Sequence, residues 1–457
     1  MDIRALYEEF GDEPKYLAIA KALEEGIRRG ELLSGAALPT QRELAAQLGV
    51  TVGTVTRGYA EAAQRGLVVG VTGRGTFVAA RRPDVDTMPP VQHCRYDLGY
   101  IAPFEYLNPG LHAAVGRLAD AAADLSELPR YQPPRGLLRH RRAGALWAQR
   151  YGLRVSPDDL LICAGAQHAL LTLLTTLFNP GDRIAAEQLT YPLLKQLAKR
   201  LRLHLTPIRM DRGGMLPDAL DAACRSAAGG IKGLYLMPTC QNPTLAQISE
   251  SRRHELVEVC RRHHVLILED DVYALALEHN LPPLSHLAPE LGCFIAATSE
   301  ALSGGLRIAY LCPPQRFVEE LERSIACTIS MTPPLMAELA TLWITDGTAD
   351  GVLHAKRAEA AVRNTLARHI LDGFTLETRT TGFFCWLKLP APWTGASFAD
   401  AARARGVLVA EAEHFSLSPT PPTEGVRLAL GGIRSREELE TALRLLAALL
   451  HEGKARR

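Results

Sequence analysis

The chain has 457 residues, long enough for two or three domains. Hydrophobic residues make up 47% and charged residues 22%, which supports a packed core and excludes a disordered chain. No apolar run reaches the roughly 18 residues of a membrane span, and a net charge of only +1 gives no sign of nucleic acid by itself.

The first residues carry acids and no apolar block, so no signal peptide is expected. Nine cysteines are scattered from Cys94 to Cys385, with no Cys-x-x-Cys pair. That pattern implies reduced thiols in a cytoplasm, with no disulfide frame and no zinc site. Cys163 and Cys385 fall inside apolar strands and read as buried filler.

Three short helices and a hairpin are predicted in the first eighty residues. Tyr16, Ile19, Ala20, Leu23 and Ile27 fall at helical spacing, with Gly30 as the stop. Thr40 to Glu43 reads as a capping box opening a second helix that Gly49 ends. Thr51 caps a third, with Val52, Val55 and Tyr59 inward, ending near Gly66. Leu67 to Val78 then reads as two strands around a glycine-rich turn. Helix, tight turn, helix and hairpin describe a winged helix-turn-helix over residues 10–80. Charge agrees with DNA contact. Eight arginines against three glutamates between residues 28 and 82 leave +5. Arg42 opens the second helix, Arg57 lies on the third, and Arg74 sits between glycines at the wing tip, within reach of a phosphate or the minor groove. Thr40 at the second helix's cap, and Thr54 and Thr56 on the exposed side of the third, complete the candidate surface, where a solvated basic face is the bland alternative. Leu38 to Ala45, Thr54-Val55 and Gly73 to Val78 together resemble the GntR-type winged helix.

Residues 81–95 are polar and proline-bearing and read as a linker. From about Leu160 short apolar runs alternate with helical patterns: Leu160 to Cys163, Arg183 to Ala186, His204 to Ile208, Gly233 to Met237, Val265 to Leu268 and a run from Phe294. This is the rhythm of an α/β fold, a mostly parallel sheet with helices on both faces. Such sheets bind ligands at the carboxyl ends of their strands, and the candidate residues fall there. Gly165, Ala166 and Gln167 open a helix whose free N–H groups suit a phosphate. Tyr191 can stack on a ring or simply pack. Asn242 is a donor, or only a turn residue before proline. Glu269, Asp270 and Asp271 offer a charge partner for a cationic ring, and no histidines complete a metal set. Ser299, Glu300 and Arg307 lie between two strands, the second expected to start at Arg307. Short strands at Phe374 to Leu376 and Phe383 to Leu389 and a last amphipathic helix from Arg436 to Leu450 make a smaller C-terminal α+β part.

In this order the motifs over residues 96–450 resemble the fold-type I aminotransferases. Joined to the winged helix, the chain resembles the MocR subgroup of GntR regulators over almost its whole length. The resemblance implies a pyridoxal phosphate pocket in which Asp270 pairs with the pyridinium nitrogen, Tyr273 and Asn242 bond the ring oxygen, and Ser299 and Arg307 complete the phosphate cup. It implies that Tyr131 reaches across a homodimer and that Arg427 grips a ligand carboxylate, where a surface ion pair is the alternative. It also places the Schiff-base lysine at position 300, and the residue there is Glu300. Leu189 and Leu245 depart from the same pattern, which has proline and glycine. None of the eight lysines is placed by spacing at the Schiff-base position. A carboxylate forms no Schiff base. The expectation is therefore a cytoplasmic, homodimeric regulator of double-stranded DNA. Its aminotransferase-like domain would be inactive, sense a small-molecule effector, and hold pyridoxal phosphate or pyridoxamine phosphate only non-covalently. An active aminotransferase and a structural dimer with an empty pocket are the alternatives.

Overall fold

The computed structural model describes residues 3–8, 10, 13–28, 32, 36–64, 67–71, 75–78, 94–120, 125–227, 229–278 and 281–455. The chain divides into two compact units, Met1–Gln92 and His93–Arg457.

The N-terminal unit contains α1 (Ile3–Glu8), α2 (Lys15–Arg28), α3 (Gln41–Leu48), α4 (Val52–Gln64), β1 (Val68–Val71) and β2 (Gly75–Val78). Helix α1 was not foreseen and extends this unit ahead of residue 10; its Leu6 is buried and packs beside Gly26. Thr40 caps α3 as expected. Its hydroxyl accepts from the Glu43 N–H at 3.3 Å, and the Glu43 carboxylate accepts from the Thr40 N–H at 2.8 Å. Thr51 accepts from the Thr54 N–H at the start of α4. Helices α2 and α4 cross closely because Gly58 has no side chain: a Cβ there would lie 2.8 Å from Ile19 Cγ2. The strands pair antiparallel, from Val68 with Val78 to Val71 with Gly75. The wing tip with Arg74, the ends at Gly30 and Gly66, and linker residues 81–93 lie outside the described residues.

The large unit is built on a seven-stranded sheet. In chain order its strands are β3 (Tyr96–Asp97, outside that sheet), β4 (Leu161–Cys163), β5 (Arg183–Glu187), β6 (His204–Ile208), the small pair β7 (Met210–Asp211) and β8 (Gly214–Met215), β9 (Gly233–Leu236), β10 (Leu266–Glu269), β11 (Gly292–Ala297) and β12 (Ala309–Cys312). The sheet order is β4-β12-β11-β10-β9-β5-β6. Only β12 runs antiparallel to its neighbours β11 and β4. That reversal matters, because the start of β12 then lies at the same sheet edge as the ends of β4, β5, β9, β10 and β11. Among the helices between these strands are α5 (Leu111–Asp120), α6 (Leu138–Gln149), α7 (Ala166–Leu177), α8 (Pro192–Leu201), α9 (Pro217–Ser226), α10 (Glu250–His263) and α11 (Leu284–Leu287); α12 (Val318–Ile329), α13 (Pro334–Thr345) and the 23-residue α14 (Thr348–Ile370) follow β12. Strands β4, β9, β11 and β12 are buried at every position, as expected for a sheet covered on both faces. A second sheet of β13 (Leu376–Glu377), β14 (Phe384–Lys388), β16 (Ala410–Glu411) and β17 (Gly425–Ala429) forms the smaller part; β15 (Val407–Leu408) pairs instead with β3. It is packed by α15 (Gly395–Ala404), α16 (Ala412–Phe415) and α17 (Arg436–Ala455).

The strand expected at Arg307 starts two residues later. A 3-10 turn at Gly304–Leu306 intervenes, and Arg307 closes it in the left-handed region with φ 53°. All nine cysteines are free, and Cys163 and Cys385 are buried. No described helix is long and apolar enough to cross a membrane.

Candidate ligand pocket and DNA-facing surface

The expected pocket residues converge on the sheet edge where strand ends meet the start of β12. Gly165 is the N-cap of α7 with φ 87°, a conformation that favours glycine. A Cβ at Gly165 would lie 2.2 Å from Nη2 of Arg307, so the guanidinium rests directly on this helix start. Free N–H groups at a helix N-terminus beside an exposed arginine make an anion cradle. Ala166 and Gln167 follow in the first turn. Gln167 Oε1 accepts from the Tyr191 hydroxyl at 3.2 Å, which fixes the Tyr191 ring at the N-cap of α8.

The three acids after β10 do different work. Glu269 accepts from the N–H groups of Leu284 and Ser285 and from the Ser285 hydroxyl, capping the short helix α11. Asp271 accepts from the Thr239 N–H. Asp270 alone keeps an oxygen free: Oδ2 accepts from the Tyr235 hydroxyl at 2.8 Å, while buried Oδ1 has no partner. Burial pushes the Asp270 carboxyl up to about 6. A cation at Oδ1 would restore its charge. The orphaned oxygen and the glycine cradle together fit a phosphorylated, cationic ring such as pyridoxal phosphate. Asn242 fits the same group: Oδ1 accepts from Arg427 Nη1 at 2.9 Å, which turns its amide nitrogen to other partners. Tyr273 is buried edge-on to Phe384, ring centroids 5.1 Å apart.

Arg427 is buried rather than in a surface ion pair. Nη2 donates to the Gly99 carbonyl at 2.5 Å, its guanidinium lies 5.0 Å from the Phe415 ring centroid, and Nε has no partner. Tyr131, in contrast, is 90% exposed.

Glu300 lies on the turn after β11. Its Oε1 is 3.5 Å from the Ser299 hydroxyl, and shielded Oε2 has no partner. Burial pushes its carboxyl up to about 7, against the lowering effects of Lys356, the Ser299 hydroxyl, Arg427 and Arg307. Lys356, which spacing did not bring to this turn, lies beside it. It is buried on α14, and Nζ donates to the main-chain carbonyls of Glu300 at 3.2 Å and Leu302 at 3.1 Å. Burial draws its amine down to about 8. Spacing gave no hint because 56 residues separate the partners. The 97–100 loop was also missed. Asp97 Oδ1 accepts from the N–H groups of Gly99 and Tyr100, which presents Gly99 to Arg427 and sets Tyr100 in the field of Glu300 and Arg307. An Asx turn was the available sequence signal.

Leu245 has φ 59° and is buried. The glycine of the aminotransferase pattern would take that conformation without strain; the leucine trades strain for core contacts. Leu189 is likewise buried.

Glu187, at the end of β5, is a further buried acid. Oε2 accepts at 3.3 Å from the Met237 N–H and from Gln241, and Oε1 has no partner. Burial pushes its carboxyl from 4.5 up to about 8. Folding therefore favours its neutral form, a contribution fully present below the unfolded value and lost as pH rises through about 8. Glu187→Gln cannot ionise. We expect it to gain about 1–4 kcal/mol on the wild type between about pH 5 and about pH 8, measured by denaturant unfolding. A pH-independent difference would show that this carboxyl titrates normally.

On the N-terminal unit, Arg42 and Arg57 are exposed, and the Arg57 guanidinium lies over the Tyr16 ring at 4.4 Å. Thr40 and Thr54 spend their hydroxyls partly on capping and on the Thr51 hydroxyl. Thr56 ties α4 to Gln41 on α3 at 2.9 Å.

Residues 105–446 match the family Aminotransferase class I and II, and residues 15–78 match Bacterial regulatory proteins, gntR family. The chain is 32% identical over 455 residues to the uncharacterized HTH-type transcriptional regulator YdeF of Bacillus subtilis, covering 96% of this chain and 95% of that protein. It is 30% identical to the HTH-type pyridoxine biosynthesis transcriptional regulator PdxR of Corynebacterium glutamicum, covering 65% of this chain and 66% of the relative. An archaeal alanine:glyoxylate aminotransferase shares the fold, with a TM-score of 0.71 and 24% identity over 78% of this chain and 91% of that one.

Proposed function

The chain belongs to the MocR-type transcriptional regulators, in which a gntR-family DNA-binding domain is joined to a class I and II aminotransferase domain, and we propose that its large unit dimerises and senses a small molecule instead of catalysing transamination. Glu300 carries this reading. At the turn where the family pattern puts its lysine, a carboxylate provides no amine for a Schiff base or for moving a substrate proton. Lys356 supplies no substitute, since its Nζ is tied to two carbonyls.

When bound, pyridoxal phosphate would bring a cationic, electron-withdrawing ring. In this proposal the α7 N-terminus, Ser299 and Arg307 hold the phosphate, Asp270 Oδ1 faces the ring nitrogen, and Tyr191 stacks on the ring. Asn242 and Tyr273 bond the ring oxygen, and Arg427 Nε receives a ligand carboxylate. Tyr131 of each protomer reaches toward its partner's phosphate, which accounts for its exposure in one protomer. Two winged helices per dimer then meet two half-sites. Action on bacterial DNA puts the protein in the cytoplasm.

Residues 10–80 carry DNA binding, through Arg42, Arg57, Arg74, Thr40 and Thr54; residues 81–95 link them to the ligand-binding unit over 96–450. The double variant Arg42→Ala, Arg57→Ala is expected to lose about 1–3 kcal/mol per base contact and to flatten the salt dependence by about one unit per phosphate contact. Fluorescence anisotropy on DNA from the protein's own promoter region checks this; unchanged affinity and slope would remove both residues. A monomer in sedimentation at micromolar concentration would remove the dimer.

A further inference from the structure

Asp270 Oδ1, Arg427 Nε and Glu300 Oε2 at the pocket lack partners among the described residues. The first two match a ring cation and a ligand carboxylate. Glu300 Oε2 matches neither, because it asks for a donor. Among the described residues none provides one: the Ser299 hydroxyl is 3.5 Å from the other oxygen, and Lys356 donates to the main-chain carbonyls of Glu300 and Leu302.

An aldehyde placed against the ionised carboxylate brings only lone pairs and gains nothing, and against the neutral acid it gains at most one uncharged hydrogen bond. An ammonium brings donors and a charge. The favourable charge-assisted hydrogen bond would also hold Glu300 in its ionised form, which burial alone disfavours.

We propose that Glu300 makes this pocket selective for a phosphorylated pyridine ligand whose substituent at the turn carries an amino group: pyridoxamine phosphate, or an amino acid joined to the same ring through nitrogen. The inference rests on the large unit being a non-covalent pocket for such rings. Glu300 is the specificity-determining residue, and Arg427 Nε separates the two ligands, since only the amino-acid adduct brings a carboxylate.

Calorimetry on the full-length protein tests this with pyridoxamine phosphate, pyridoxal phosphate and N-phosphopyridoxyl-alanine. Wild type is expected to bind pyridoxamine phosphate about 10-fold or more tighter than pyridoxal phosphate, the size of one charge-assisted hydrogen bond. Glu300→Gln keeps the shape and removes the charge, and its two affinities are expected to fall within about 3-fold of each other. A tighter adduct than pyridoxamine phosphate would identify the adduct as the better ligand, and the reverse order the free amine. Equal wild-type affinities, no binding of pyridoxamine phosphate, or an undiminished preference in Glu300→Gln would each overturn the proposal. Thermal melting confirms that each variant is folded. Glu300→Lys tells this failure from failure of the pocket reading itself. Its amine is expected to condense with pyridoxal phosphate, losing water, and to keep the added mass after borohydride reduction. Capture by that variant together with equal wild-type affinities sinks only the amine preference. Neither capture nor wild-type binding of any of the three ligands sinks both.

Discussion

Gly58→Val is expected to abolish DNA binding while leaving the large unit folded. The position lies inside α4 where it crosses α2. A Cβ there would sit 2.8 Å from Ile19 Cγ2, 2.9 Å from Ile19 Cβ and 3.2 Å from the Tyr16 carbonyl oxygen. Ile19 is fully buried and the carbonyl is main chain, so neither yields easily. Forcing extra carbon into a packed contact costs about 1–3 kcal/mol, and valine adds a second clash through its branch. A unit of this size holds only about 5 kcal/mol of stability. Moving α4 away from α2 also takes Arg57 off the Tyr16 ring. Calorimetry should show a weakened or missing transition for the N-terminal unit beside an unchanged one for the large unit, with DNA affinity lost. Wild-type affinity in this variant would contradict the close crossing.

Gly165→Ala should remove the phosphate cradle. An L-residue at φ 87° and ψ 170° costs about 1–3 kcal/mol, and the new Cβ would collide with Arg307 Nη2. Either the arginine leaves or the first turn of α7 shifts, and both forfeit charge-assisted hydrogen bonds worth about 1.5–3 kcal/mol each. Affinity for pyridoxamine phosphate is expected to fall about 100-fold or more, toward that of unphosphorylated pyridoxamine, whose own affinity should hardly change. A similar loss for both ligands would mean that the substitution damages the pocket generally; no loss would place the phosphate elsewhere.

Much of this architecture was legible because it is local. The capping box at Thr40, the apolar runs of β4, β5 and β9 to β11, and the polar residues at their ends all declare themselves within a few positions. Helix α1 did not, since six residues give too short a period to read and it is held by contact with α2. The start of β12 was misplaced because an apolar run does not reveal the 3-10 turn that leaves Arg307 left-handed. Lys356 and the 97–100 loop reach the pocket only through long-range packing, for which periodicity carries no signal. Position 300 was legible as a mismatch, yet its unpartnered oxygen required coordinates.

The bond from Arg427 to the Gly99 carbonyl joins residues 328 positions apart. The site therefore needs segments from both ends of the large unit folded against each other. Any ligand that fills it adds its binding free energy to the folding equilibrium, about 2.7 kcal/mol at a hundred times its dissociation constant. Chains lacking ligand would open, and meet proteases, more often. Supply of the ligand would then set how many copies of the regulator survive, as well as how many are occupied.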